Sequence, residues 1–203
     1  MVHLLFFLSG FAALIYQVVW QRTLFSIYGI NIEAVTMVVT AFMLGLGLGS
    51  LAGGVVSKDP KRPAVFLFAM VELGIALFGL FSLSIFRFVG NQTLLLSPFV
   101  IGLVTFLMVL VPTMLMGSTL PLLVGHFTRI NNNVGRSVSS LYTINTLGSA
   151  VASFVAVAWA LGHLGQLGSV RLAAGFNVVA SIAAIFVHRV ESRKASSPAS
   201  AST

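Results

Sequence analysis

The sequence predicts an all-α integral membrane protein with six transmembrane helices. Three observations carry that prediction. Of the residues, 58% are apolar and only 7% are charged, whereas soluble domains carry about 25% charged residues. Six apolar runs are each long enough to cross a hydrocarbon core of about 30 Å. Short polar or charged stretches, "SKDPKRP" and "HFTRINNNVGR" among them, separate the runs. The net charge of +7 and the absence of cysteine complete the frame. The eleven Lys and Arg residues stand singly or in small clusters between apolar runs, with no basic face interleaved with aromatics, so a nucleic-acid partner is not expected. Without cysteine there are no disulfides and no thiolate metal sites.

The predicted spans run from about Leu4 to Trp20, Ala34 to Val56, Ala64 to Phe86, Leu94 to Met116, Val138 to Leu161 and Ser169 to Val187. Together they make one transmembrane domain over residues 1–190. The tail from 191 to 203 is small and polar, has nothing to bury, and is expected to be disordered. Six spans put both termini on one side of the bilayer. Lys58, Lys61, Arg62, Arg129, Arg136, Arg189, Arg193 and Lys194 fall on that side, and Arg22, Arg87 and Arg171 fall opposite. The positive-inside bias then places both termini in the cytoplasm, as in a multi-pass protein of the cell inner membrane.

The first span ends in "LIYQVVWQR". At 3.6 residues per turn Tyr16 and Trp20 share one stripe, Gln17 and Gln21 the next, and Arg22 follows. Aromatic, amide and cation in that order suit the edge of a membrane. With an apolar start but no Lys or Arg before it and a weak cleavage site, this segment is read as an uncleaved span.

The second span holds Gly45, Gly47 and Gly49. A nucleotide-binding glycine turn needs a strand before it and an acid about 20 residues later, and an apolar run of membrane length provides neither. The spacing of Gly45, Gly49 and Gly53 instead makes a smooth helix face for close packing. Gly148 and Ala152, followed by Ala156 and Ala160, repeat the device in span five. Either a compact bundle or a dimer would use such faces.

The third span carries Glu72, about 12 Å from its start at the rise of an α-helix. An ionisable group at that depth is costly unless paired or hydrated, which makes it a functional candidate. Span four contains Pro98 and Pro112, with Pro121 beyond, and a kinked or broken helix is expected. Span five brings Asn145 and Thr146 to a similar depth, and span six places Asn177 near its middle. Glu72, Asn145, Thr146 and Asn177 are therefore the candidate site for a small cation or a proton. The alternative is that the amides hydrogen-bond neighbouring helices and that Glu72 is paired or neutral inside the bundle. The four histidines are scattered over span ends and loops, so no metal site is expected. The four acids form no close pair, no catalytic grouping is present, and neither a cofactor nor enzymatic activity is expected.

The segments "FFLSGFAALIYQVVWQRTLFSIYG", "AFMLGLGLGSLAGG", "RPAVFLFAMVELGIALFG", "PTMLMGSTLPLL" and "VGRSVSSLYTINTLGSAVAS" together resemble the membrane portion of the fused major-facilitator/spermidine-synthase-like family. The resemblance extends from about Phe6 to Asn177. It implies signature positions at Tyr16, Gln17, Trp20, Arg22, Glu72, Gly117, Thr119, Pro121, Tyr142, Asn145 and Thr146. It also implies a bundle like one half of a major-facilitator transporter, so that transport calls for a homodimer or a second membrane chain. Members of the family carry a soluble domain resembling a polyamine aminopropyltransferase. The residues after Val187 hold no strand, glycine turn or acidic pattern for such a domain, so synthase chemistry is not expected of this chain. The expected function is transport, or half of a transporter, for a small, possibly cationic and polyamine-like solute. The alternative is a non-catalytic anchor or partner, in the lipid bilayer, of a separate soluble synthase-like enzyme.

Overall fold

The computed structural model describes residues 2–29, 32–93 and 95–195. It is built of helices: α1 (Val2–Tyr28), α2 (Ile32–Lys58), α3 (Ala64–Thr93), α4 (Pro98–Asn131), α5 (Val134–Val155), a π-helical turn (Ala156–Ala160), α6 (Leu161–His163) and α7 (Gly165–Ala195). The segment from α5 through α6 is one rod, so six helical rods are long and apolar enough to cross a membrane. In hydrocarbon every backbone N–H and C=O must be satisfied within the chain, which is why apolar runs of this length fold as helices.

The helices outrun the apolar stretches that announced them. The 27 residues of α1 span about 40 Å, more than the hydrocarbon thickness. Polar separators such as "RFVGNQT" and most of "HFTRINN" continue the helices that precede them, because nothing in them breaks the backbone ladder. The fourth helix begins at Pro98, where a missing N–H costs nothing, rather than near Leu94, which lies outside the described residues. It ends on Asn132 in the left-handed region at φ 50°, and the next residue, Asn133, caps α5 by accepting from the Arg136 N–H at 2.9 Å. The tail correction has the same cause. Residues 191–195 prolong α7, and 196–203 lie outside the described residues.

Of the kink or break expected in span four, the break does not occur. Helix α4 passes through Pro112 and Pro121 without leaving helical structure. Hydroxyls next to each proline bond to nearby carbonyls: Thr113 to Val109 at 2.9 Å, Ser118 to Leu115 at 2.8 Å and Thr119 to Met116 at 2.7 Å. The carbonyls that the two prolines free, at Met108 and Gly117, are not among those these hydroxyls bond.

Packing follows the small residues. Helix α2 lies mainly on α4, and its glycine stripe is the reason. A Cβ on Gly45 would fall on the Thr113 side chain, one on Gly49 on the Met114 backbone and one on Gly53 at 2.6 Å from the Ser118 carbonyl oxygen. Gly117 makes the reciprocal approach to the Leu46 backbone, whereas Gly47 has nothing within 4 Å. Gly148 allows α5 to approach Phe7 of α1, and Ala152, Ala156 and Ala160 are fully buried behind it.

Tyr16 and Trp20 correct the membrane-edge reading. Both are fully buried, because α1 continues for two more turns and is surrounded by α3, α5 and α7. Their rings stack at 5.0 Å, and Trp20 also meets Phe42, Phe78 and Phe86. The indole Nε1 donates to Ser82 Oγ at 2.9 Å, which satisfies its one polar atom. Gly79 makes room for Tyr16, since a Cβ there would lie 2.5 Å from ring carbons. The outward faces are apolar: Met43, Leu51, Phe88, Phe99 and Phe154 are all exposed, the surface expected of a protein that meets lipid.

Candidate functional site

The site is organised by one carboxyl. Glu72 is fully buried on α3, pointing between α1 and α7. Ser9 Oγ of α1 donates to its Oε1 at 2.5 Å, and Asn177 Nδ2 of α7 donates to its Oε2 at 2.5 Å. One turn along both antiparallel helices, Ser181 Oγ donates to the Ala69 carbonyl at 2.7 Å. These bonds fasten α3 to α7 at the level of the carboxyl and fix the Asn177 amide in place.

What the carboxyl lacks is as informative. Among the described residues, Glu72 takes no part in the Arg62–Asp59 ion pair or the His126–Glu191 contact. A carboxylate offers about four acceptor sites, and two neutral donors occupy two of them. Nearby, the Asn177 Oδ1 and the Tyr16 hydroxyl are buried and make no hydrogen bond among the described residues. The cluster therefore has spare acceptor capacity and no cation of its own.

Ser9 also borders a cavity of about 130 Å³ between α1, α2, α4 and α5. Its polar lining is Ser9, Gln17, Thr119, Asn145 and Ser149, set among Phe42, Leu46 and Met116. Helices α1 and α5 come together beside it because Gly10 has no Cβ. One placed there would lie 2.9 Å from Asn145 Cγ, and Ser149 Oγ donates to the Gly10 carbonyl at 3.0 Å. Ser9 thus bonds the buried carboxyl through its hydroxyl and also lines the cavity.

The four candidates do not all meet. Glu72 and Asn177 are in direct contact. Asn145 lies in the cavity wall, across Ser9 from the carboxyl. Thr146 is exposed, because it follows Asn145 by 100° around α5 and turns outward. Of the remaining signature positions, Gln17 and Thr119 line the cavity and Gly117 packs on α2. Pro121 is half-buried, and Arg22 and Tyr142 are exposed.

Sequence reasoning missed Ser9. A lone serine in a Leu- and Phe-rich run carries no periodic signal, and its importance comes from a residue 63 positions away. Ser149, one turn beyond Asn145, is legible as part of a polar stripe.

Compared with known proteins, the chain matches no family model, no curated protein and no solved structure.

Proposed function

We propose that this chain is a half-transporter for a small cationic, polyamine-like solute, with Glu72 as its charge-selecting group. The observation that supports the reading is the fully buried Glu72 carboxyl without a cationic partner, joined through Ser9 to a polar cavity. A negative charge among apolar helices requires compensation. A proton on Glu72 or a cation in the adjacent cavity supplies it, so the two compete for one charge.

The cavity's size supports the half-transporter form. At about 130 Å³ it is well below the roughly 300 Å³ at the lower end of small-molecule pockets. A second copy or second membrane chain facing α1, α2, α4 and α5 would complete it, as two halves do in transporters with a site at their interface. In this reading both termini are cytoplasmic, the membrane is the inner membrane, and the chain resembles the transport portion of the major-facilitator/spermidine-synthase-like family without performing its synthase chemistry.

Uptake of labelled putrescine and spermidine into proteoliposomes tests the proposal. Wild-type protein is expected to carry the label and Glu72→Gln to abolish uptake. Uptake unchanged by that substitution rejects the role given to Glu72, and none by folded wild-type protein rejects transport of these solutes by a homodimer of this chain.

A further inference from the structure

We propose that the groove between the start of α3 and the end of α7 seats the headgroup of an anionic phospholipid. The groove has a volume of about 680 Å³ and is lined by Phe66, Ile185, His188, Arg189, Ser192 and Arg193, beside Pro63. On α7 the residues 185, 189 and 193 recur every four positions, and 188 and 192 repeat the spacing beside them. One face of the helix therefore changes from apolar to cationic over about 12 Å.

That gradient matches a phospholipid in the bilayer. The apolar run of α7 ends at Val187, so Ile185 and Phe66 stand where acyl chains begin and Arg189 and Arg193 stand at headgroup level. Phe66 holds its place by packing on the His188 ring at 5.7 Å. Among the described residues no acid lines the groove. Guanidinium groups bind phosphate through paired N–H donors, and the Ser192 hydroxyl adds another. Basic pockets between membrane helices recognise anionic headgroups in this way. The proposal is independent of the transport reading.

Native mass spectrometry of the detergent-purified full chain tests it, with added phosphatidylglycerol or phosphatidylcholine of matched acyl chains. Wild-type protein is expected to retain phosphatidylglycerol in preference to phosphatidylcholine. Arg189→Gln and the double variant Arg189→Gln/Arg193→Gln are expected to weaken that retention by roughly fivefold per arginine. Arg136→Gln, in a separate basic pocket at the start of α5, is expected to leave it unchanged. Equal retention of the two lipids, or retention unaffected by the double variant, overturns the proposal. So does complete displacement of the lipid by millimolar inorganic phosphate, which would make this an anion site that needs no lipid.

Discussion

Ser9 and Glu72, on different helices, share a 2.5 Å hydrogen bond inside the bundle, and Ser9 also lines the polar cavity. Removing that hydroxyl leaves the carboxyl with Asn177 as its donor. Ser9→Ala is expected to lower stability by about 0.5–3 kcal/mol, the range from a neutral hydrogen bond to one with a charged group. Denaturant unfolding in detergent measures the loss. Cation binding should weaken in the same variant, because the link between cavity and carboxyl is gone.

The glycines of α2 divide into contact and non-contact positions. Gly49→Ala places a methyl on the Met114 backbone and is expected to destabilise the fold by about 1–3 kcal/mol through overpacking. Gly47→Ala meets nothing within 4 Å and should be neutral or stabilising by up to about 1 kcal/mol, from helix propensity. The same unfolding assay compares them, and equal effects would refute the α2–α4 contact described above.

Tryptophan fluorescence separates core from lipid. The chain has two tryptophans: Trp20 is fully buried, and Trp159 is 46% exposed. In brominated-lipid vesicles Trp159→Phe protein, which retains only Trp20, should be quenched far less than Trp20→Phe protein. Strong quenching of Trp20 would return it to the membrane edge.

Adjacent residues on α5 should behave differently. Asn145 lines the cavity and Thr146 is exposed. Asn145→Ala is expected to reduce cation binding, whereas Thr146→Val should leave binding and stability within about 0.5 kcal/mol of wild type, as outward-facing substitutions usually do. A fall in binding with Thr146→Val would restore that residue to the site.

The number and order of the helices were legible because hydrophobic length is a local signal. Helix ends were less so: hydropathy marks the hydrocarbon, and the backbone ladder continues past it, as α3 does to Thr93. Glu72 and Asn177 stood out as polar groups in apolar runs, and the structure joins them. Tyr16 and Trp20 misled because an amphipathic ring suits a membrane edge and a packed core equally well. Only the packing of α3, which brings Ser82 to the Trp20 indole, distinguishes those environments. The outward turn of Thr146 was not legible for a related reason, since depth in the membrane says nothing about which way a side chain faces.

Calorimetric titration of putrescine and spermidine into purified wild-type and Glu72→Gln protein, repeated across pH, is the most direct test of the cation site. Saturable binding to wild-type protein is expected, weakening as the pH falls because a proton on Glu72 removes the charge that attracts the solute. Binding should be lost in Glu72→Gln. Equal binding by both proteins, or none by folded wild-type protein at any pH, would contradict a cation site built on Glu72.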